Sequence, residues 1–124
     1  AWNPDLLMSC NYVTHLSVFR RRLLLSIGGF RSGFDGSQDY DLLLRVAEAT
    51  NRIAHVPKVL YHWCVIPGST AHSSTAKPKA YSAARRAIAE SAARVGEPAA
   101  VTMQRPGIYR VRYSQDAKPT CSVI

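Results

Sequence analysis

The longest regular pattern in the chain spans residues 77–95. There Tyr81, Ala84, Ile88, Ala92 and Val95 recur at helical spacing within an alanine-rich stretch of high helix propensity. Gly96 and Pro98 supply its stop, and core or inter-domain packing is the role that such a stripe implies. A second helix is predicted from Ser37, as N-cap, to about Ala49, with Tyr40 rather than Glu at the third helical position. Leu42, Leu43, Val46 and Ala47 would form its buried stripe, and Asn51 and Arg52 end it. A short helix over residues 20–27 would carry Leu23, Leu24 and Ile27 inward and stop at Gly28-Gly29.

The remaining apolar positions read as strands. Residues 12–19 are rich in β-branched and aromatic side chains, and two short strands are expected over residues 52–56 and 59–64, separated by Pro57-Lys58. Residues 100–103 and 108–113 read as a hairpin around Arg105-Pro106-Gly107. Pro4 is taken as an early helix breaker, which makes residues 1–19 extended or irregular. Residues 66–74 form a polar loop, residues 115–119 a linker, and residues 120–124 begin an apolar strand. The expected fold class is α+β, with two or three helices and short, mostly antiparallel strands.

At 124 residues the chain is long enough for one modest domain. It contains no run of 18 apolar residues, so no transmembrane helix is predicted. The opening Ala1-Trp2-Asn3-Pro4-Asp5 lacks a signal-peptide pattern and an initiator Met, and reads as cut from a longer polypeptide. The formal charge is +8 with histidines neutral. That excess is either a solvated basic surface or a preference for anions such as a nucleotide diphosphate, acidic glycans or lipid headgroups. The basic residues are scattered apart from Arg20-Arg21-Arg22 and Arg85-Arg86, and no nucleic-acid motif is present, so nucleic acid is not an expected partner. Cys10, Cys64 and Cys121 are far apart and odd in number, which argues against a disulfide framework or a cysteine zinc site and for a reducing, cytoplasmic setting.

The densest chemistry lies in residues 28–41, where a glycine-rich, aromatic-bearing loop runs into Ser37-Gln38-Asp39-Tyr40-Asp41. Asp39 falls in the first turn of a helix. It is either a residue answering the helix dipole or a general base toward a hydroxyl. Asp41 projects about 200° around the helix from it and would pair with a cation or cap locally. Gly28, Gly29 and Phe30 read either as a plain C-cap with Phe30 in the core or as a ligand-facing loop. His62 beside Trp63 is by itself a packed or hydrogen-bonded histidine.

Several blocks occur in an order that resembles a known family. They are Asn11-Tyr12, Phe19-Arg20-Arg21, Ile27-Gly28-Gly29-Phe30, Phe34-Asp35-Gly36-Ser37-Gln38-Asp39-Tyr40-Asp41-Leu42 and Leu44-Arg45. His55-Val56-Pro57-Lys58-Val59-Leu60-Tyr61-His62-Trp63 and Pro67-Gly68-Ser69-Thr70-Ala71 follow. Together they resemble the acceptor-side half of bacterial family-two inverting GT-A glycosyltransferases, the rhamnosyltransferase-like enzymes of surface polysaccharide synthesis.

The resemblance implies a C-terminal piece of a GT-A domain that lacks the nucleotide-binding sheet. Residues 1–74 would be the acceptor-side half, residues 75–119 a helix-and-hairpin connector, and residues 120–124 the start of a following transferase domain. It implies Asp39 as the catalytic base and Gly28, Gly29, Phe30, Gln38 and Asp41 on the acceptor side. Ser69 and Thr70 would face the donor diphosphate, and His62 would ligate a divalent metal, Mn²⁺ or Mg²⁺, in the intact enzyme. Gln38 stands where the family usually has a first acid, which removes a like charge that could raise the pKa of the base. Cys64 stands where many relatives have Arg. The implied partners are a nucleotide-sugar donor and a glycan acceptor, with the protein in the cytoplasm at the inner face of the plasma membrane in peripheral association. The chain alone would be inactive, metal-free and prone to self-association. A non-catalytic carbohydrate-binding or structural connector module is the alternative.

Overall fold

The computed structural model describes residues 2–62 and 78–114. Within them the chain folds as α+β, with four helices and one two-stranded antiparallel sheet. The elements are α1 (Pro4–Ser9), α2 (Arg21–Ser26), α3 (Gln38–Ala49), α4 (Pro78–Arg94), β1 (Ala99–Arg105) and β2 (Ile108–Tyr113).

The first helix corrects the reading of Pro4. Proline breaks a helix from within, but at the first position its missing N–H costs nothing and its fixed φ fits. Here Pro4 opens α1 behind Asn3, whose Oδ1 accepts the Leu6 N–H at 2.9 Å as an N-cap. The strand expected over residues 12–19 does not form, and neither do strands within residues 52–62; His62 is the last described residue before the gap. β-branched content without a paired neighbour leaves backbone in irregular form. Residues 63–77 and 115–124, with the expected loop, linker and final strand, lie outside the described residues.

Helix α2 stops as expected. The Gly29 N–H bonds the Leu24 carbonyl at 2.8 Å and the Gly28 N–H that of Leu25 at 3.2 Å, with φ positive at both glycines. That is a Schellman ending, which favours glycine at the left-handed position. Helix α4 closes the same way at Gly96.

The core sits where α3 crosses α4. Leu7, Phe34, Tyr40, Leu43 and Leu44 pack with Ala83, Ala84, Ala87 and Ile88, and the hairpin adds Val101 and Tyr109. Small alanines on α4 let the two helices approach closely while Ile88 fills the space between them. Every residue from Tyr40 to Val46 is buried, so α3 is enclosed well beyond the single stripe expected. On α4, Ala84, Ile88 and Ala92 are buried as their spacing predicts, whereas Val95 lies in the exposed ending. The hairpin pairs Val101 with Val111 and Met103 with Tyr109, then turns through Pro106-Gly107 with φ +76° at Gly107. β1 lies on α4 and β2 against α1.

Several large apolar side chains face outward. Leu16, Val18, Leu25, Phe30, Val56, Val59, Leu60 and Tyr61 are all exposed, and the His15 and Tyr61 rings meet at 5.8 Å. Among the described residues no helix is long and apolar enough to cross a membrane.

Candidate functional site

The opening of α3 carries the candidate base. Ser37 is the N-cap by position, yet its hydroxyl donates to the Ala80 carbonyl on α4 at 2.8 Å and makes no cap hydrogen bond of its own. Part of the capping passes to Asp39, whose Oδ1 accepts the Tyr40 N–H at 2.8 Å. The other oxygen, Oδ2, accepts from Asn11 Nδ2 at 3.1 Å. A carboxylate offers about four acceptor positions, and Asp39 is exposed. The group is therefore held by two donors and still open to a third partner. This arrangement serves the helix end.

Asp39 stands on the rim of an open cleft of about 210 Å³. The walls are Asn11, then Gly36, Ser37, Asp39 and Tyr40 at the opening of α3, then Ala80, Tyr81 and Ala84 on α4, and Gly107 and Tyr109 of the hairpin. The turn can lie this close to α4 because Gly36 has no side chain. A Cβ there would sit 2.8 Å from the Ala80 Cβ, at a φ of +81°. Burial raises the Tyr40 phenol strongly, with Cys10 and Tyr109 adding to it, and burial also raises Tyr109, with a smaller push from Tyr81. Both remain O–H donors: Tyr40 to the Leu7 carbonyl and Tyr109 to the Tyr81 carbonyl at 3.2 Å. Among the described residues, Asn11 Oδ1 is buried without a hydrogen-bond partner.

Asp41 faces a different environment. It is fully buried, with Oδ2 accepting from Arg45 Nη2 at 2.7 Å and Nε at 3.0 Å. Arg31 closes on the same carboxylate through Nε at 3.2 Å to Oδ2 and through Nη2 to Oδ1. Burial pushes the Asp41 carboxyl up, but the hydrogen bonds and charges of Arg31 and Arg45 outweigh it, so the net displacement is downward. Arg45 also donates to the Ile27 carbonyl at 2.8 Å and the Gly29 carbonyl at 2.6 Å, tying the end of α2 to α3. Arg31 continues to Glu90 of α4 at 2.8 Å and lies over the Phe34 ring, whose centroid Arg86 also approaches at 4.3 Å. The Asp41–cation pairing expected from the sequence is present, and among the described residues the carboxylate has no open face.

The other candidates divide as follows. Gly28 and Gly29 serve the helix ending, and Phe30 is exposed while Phe34 occupies the core, so the core reading of Phe30 gives way. Gln38 is exposed beside Asp39. None of Gly28, Gly29, Phe30 or Gln38 lines the cleft. His62 is exposed, and among the described residues no group of three or more His, Cys, Asp or Glu side chains converges to hold a metal. Ser69 and Thr70, with Trp63 and Cys64, lie outside the described residues. Sequence reading missed three roles: Asn11 as partner of Asp39, Arg31 as second partner of Asp41, and Tyr81 as a cleft wall. For Asp41 and Arg45 the i,i+4 spacing was the available signal. The contacts of Asn11 and Tyr81 are long-range and leave no local trace.

No family model and no solved structure matches the chain. Two curated proteins are similar along almost all of it. The O-antigen biosynthesis protein RfbC of Myxococcus xanthus is 45% identical over 123 residues, covering 99% of this chain and 10% of that protein. The uncharacterized protein y4gI of Sinorhizobium fredii (strain NBRC 101917 / NGR234) is 45% identical over 127 residues, covering 99% of this chain and 14% of that protein. The chain thus spans about a tenth of the length of the first relative and slightly more of the second.

Proposed function

We propose that this chain is the acceptor-side, base-carrying part of a sugar transferase in O-antigen-type polysaccharide synthesis. The observation that carries the reading is Asp39. It is a solvent-open carboxylate anchored by Asn11 and by the backbone of its own helix, on the rim of a cleft. The 45% identity to an O-antigen biosynthesis protein supports the setting.

In this reading Asp39 removes the proton from an acceptor hydroxyl. A sugar hydroxyl is a poor nucleophile near neutral pH, and a positioned base contributes typically 10²–10⁴-fold. The freed oxygen attacks the anomeric carbon of a nucleotide sugar in line, the nucleoside diphosphate leaves, and the configuration inverts. Asp41 takes no part in the proton transfer; with Arg31 and Arg45 it fixes the rotation of α3 and so the direction in which Asp39 points. Among the described residues no group of side chains converges to hold a divalent ion, and the Mn²⁺ or Mg²⁺ of this reading would belong to the intact enzyme. Ser69 and Thr70, which lie outside the described residues, would contact the donor diphosphate. Work at the inner face of the plasma membrane, peripheral membrane contact and self-association through the apolar region around Leu16 and Tyr61 belong to the same proposal.

The test is sugar transfer by the full natural polypeptide, wild type against Asp39→Asn, over a panel of nucleotide sugars with and without Mn²⁺. Transfer should fall about 10²–10⁴-fold with fold and donor binding retained. Undiminished transfer would overturn the assignment. A second reading, a non-catalytic connector, is favoured by one observation: the Asp39 carboxylate accepts the Tyr40 N–H and so already has a structural use.

A further inference from the structure

The turn that leads into Asp39 is fastened to α4 at both of its ends. At its start the Arg86 guanidinium of α4 donates through Nη2 to the Gly33 carbonyl and lies 4.3 Å from the centroid of the Phe34 ring. Arg31 lies over the same ring at 4.3 Å, and Glu90 of α4 faces both arginines, 2.8 Å from Arg31 and 3.7 Å from Arg86. At its end the Ser37 hydroxyl donates to the Ala80 carbonyl at 2.8 Å, where Gly36 leaves room for the approach. Ala80 and Arg86 are about 9 Å apart along α4, so the turn is held in direction as well as in place. Ser37 also departs from the usual behaviour of its position. A serine at an N-cap normally accepts an N–H of the first turn. This one makes no such bond and reaches α4 instead. Broken local rules of this kind concentrate at functional or strained sites.

We propose that Ser37 and Arg86 are positioning residues for Asp39, through which α4 sets where the base stands. The proposal rests on the reading of Asp39 as base. It goes beyond that reading in making α4, expected from the sequence as a connector, part of the transfer machinery. The reason is geometric. A general base works within about 2.6–3.2 Å of the proton it removes, and a misplacement of about 1 Å can cost roughly 10²-fold. Asp39 is exposed, and one of its hydrogen bonds comes from the next residue of its own helix. That bond moves with the helix and fixes nothing outside it. The Asn11 amide, at 3.1 Å, is a single neutral donor. The place of the carboxylate is therefore inherited from the turn beneath it. Both ends of α3 are tied to α4 by a serine hydroxyl: Ser37 to Ala80 at the start, and Ser91 of α4 to Glu48 at 2.6 Å at the far end. The first of these lies next to the base and the second does not.

The experiment is steady-state sugar transfer by the full natural polypeptide, with UDP-, GDP- and dTDP-hexoses as donors and methyl glycosides of hexoses as acceptors. Wild type is compared with Ser37→Ala, Arg86→Ala, Ser91→Ala and Asp39→Asn, each checked for wild-type circular dichroism. Arg86 is exposed, so its truncation leaves the core in place. Ser37→Ala and Arg86→Ala should each lower kcat about tenfold or more, with KM for donor and acceptor within about twofold of wild type. Ser91→Ala removes a tie of the same kind away from the turn and should keep the wild-type kcat. On the Asp39→Asn background Ser37→Ala should add no further loss, since residues that act through one group are not additive. Wild-type kcat in both Ser37→Ala and Arg86→Ala would overturn the proposal. So would an equal loss in Ser91→Ala, which would mean a general loosening of α3 on α4. The two failures are separable. Undiminished transfer by Asp39→Asn removes the base and the proposal with it, whereas transfer lost in Asp39→Asn but full in Ser37→Ala and Arg86→Ala removes the positioning alone.

Discussion

On one side of α3 the Asp41 carboxylate is sealed from water and gripped by two guanidiniums, and on the other the Asp39 carboxylate lies open with two neutral donors on it. The two residues are chemically alike and two positions apart. What separates them is the helical rotation between them, which turns one toward α2 and the loop carrying Arg31 and the other toward Asn11 and the cleft. The comparison teaches that a carboxylate in this segment becomes structural when guanidiniums, one of them buried, fill its lone pairs, and stays open to a further partner when two neutral donors fill only half of them.

The hardest test of that division is Asp41→Ala. Removing one partner of a buried ion pair leaves the other charge uncompensated, at about 3–5 kcal/mol. Arg45, itself buried, would be that charge. Urea unfolding followed by circular dichroism should show a loss of that order. A loss under 1 kcal/mol would mean that the Arg31–Asp41–Arg45 network does not hold α3.

The same network sets an acid limit. The folded Asp41 carboxyl is held below its ordinary value. Its contribution to stability is therefore complete above the unfolded pKa of about 3.9 and is lost as pH falls from there through the folded pKa. Asp41→Asn should flatten that part of the stability–pH curve. An unchanged acid slope would place the linkage on other carboxylates.

Arg45→Lys keeps the charge and removes the fork. Lysine cannot serve Asp41, the Ile27 carbonyl and the Gly29 carbonyl together as Arg45 does. Left with unpaired groups at the end of α2, the variant should lose about 1–3 kcal/mol. Gly36→Ala strikes the other side of the helix, where a methyl group would meet Ala80 at 2.8 Å in a left-handed backbone. Its cost should be about 1–3 kcal/mol, read from the same unfolding midpoint, and the cleft should change shape with it.

How much of this was legible beforehand follows the range of the interactions. Helices α2, α3 and α4 and the hairpin could be read because their apolar spacing, their Gly28, Gly29 and Gly96 endings and the Pro106-Gly107 turn are local. Helix α1 was hidden because Pro4 was weighed as a breaker without the Asn3 cap behind it. The strands expected over residues 12–19 and 52–56, and the described part of the one over 59–64, were misread because strand propensity describes a fit to a pleated neighbour, and the described residues provide none there. At the site, Asp39 was legible as a first-turn acid. Asn11, 28 residues away from it, was not, since nothing in the spacing of an isolated asparagine points to its partner.

The smallest expected effect is the most discriminating one. Asp39→Asn should leave stability within about 1 kcal/mol of wild type, because each of its two contacts can be kept. The new amide retains an oxygen to accept the Tyr40 N–H, and what is lost at the helix start is the charge–dipole term, about 0.3–1 kcal/mol. Toward Asn11, the new Nδ2 would face a donor. Rotation of the Asn11 amide by half a turn would present its unpartnered Oδ1 instead and restore the hydrogen bond. The pair can thus repair itself, which Arg31 and Arg45, having donors alone, cannot do for Asp41→Asn. Equal losses for Asp39→Asn and Asp41→Asn in parallel urea titrations would erase the distinction between the two sides of α3 and, with it, the structural case for Asp39 as a residue free to do chemistry.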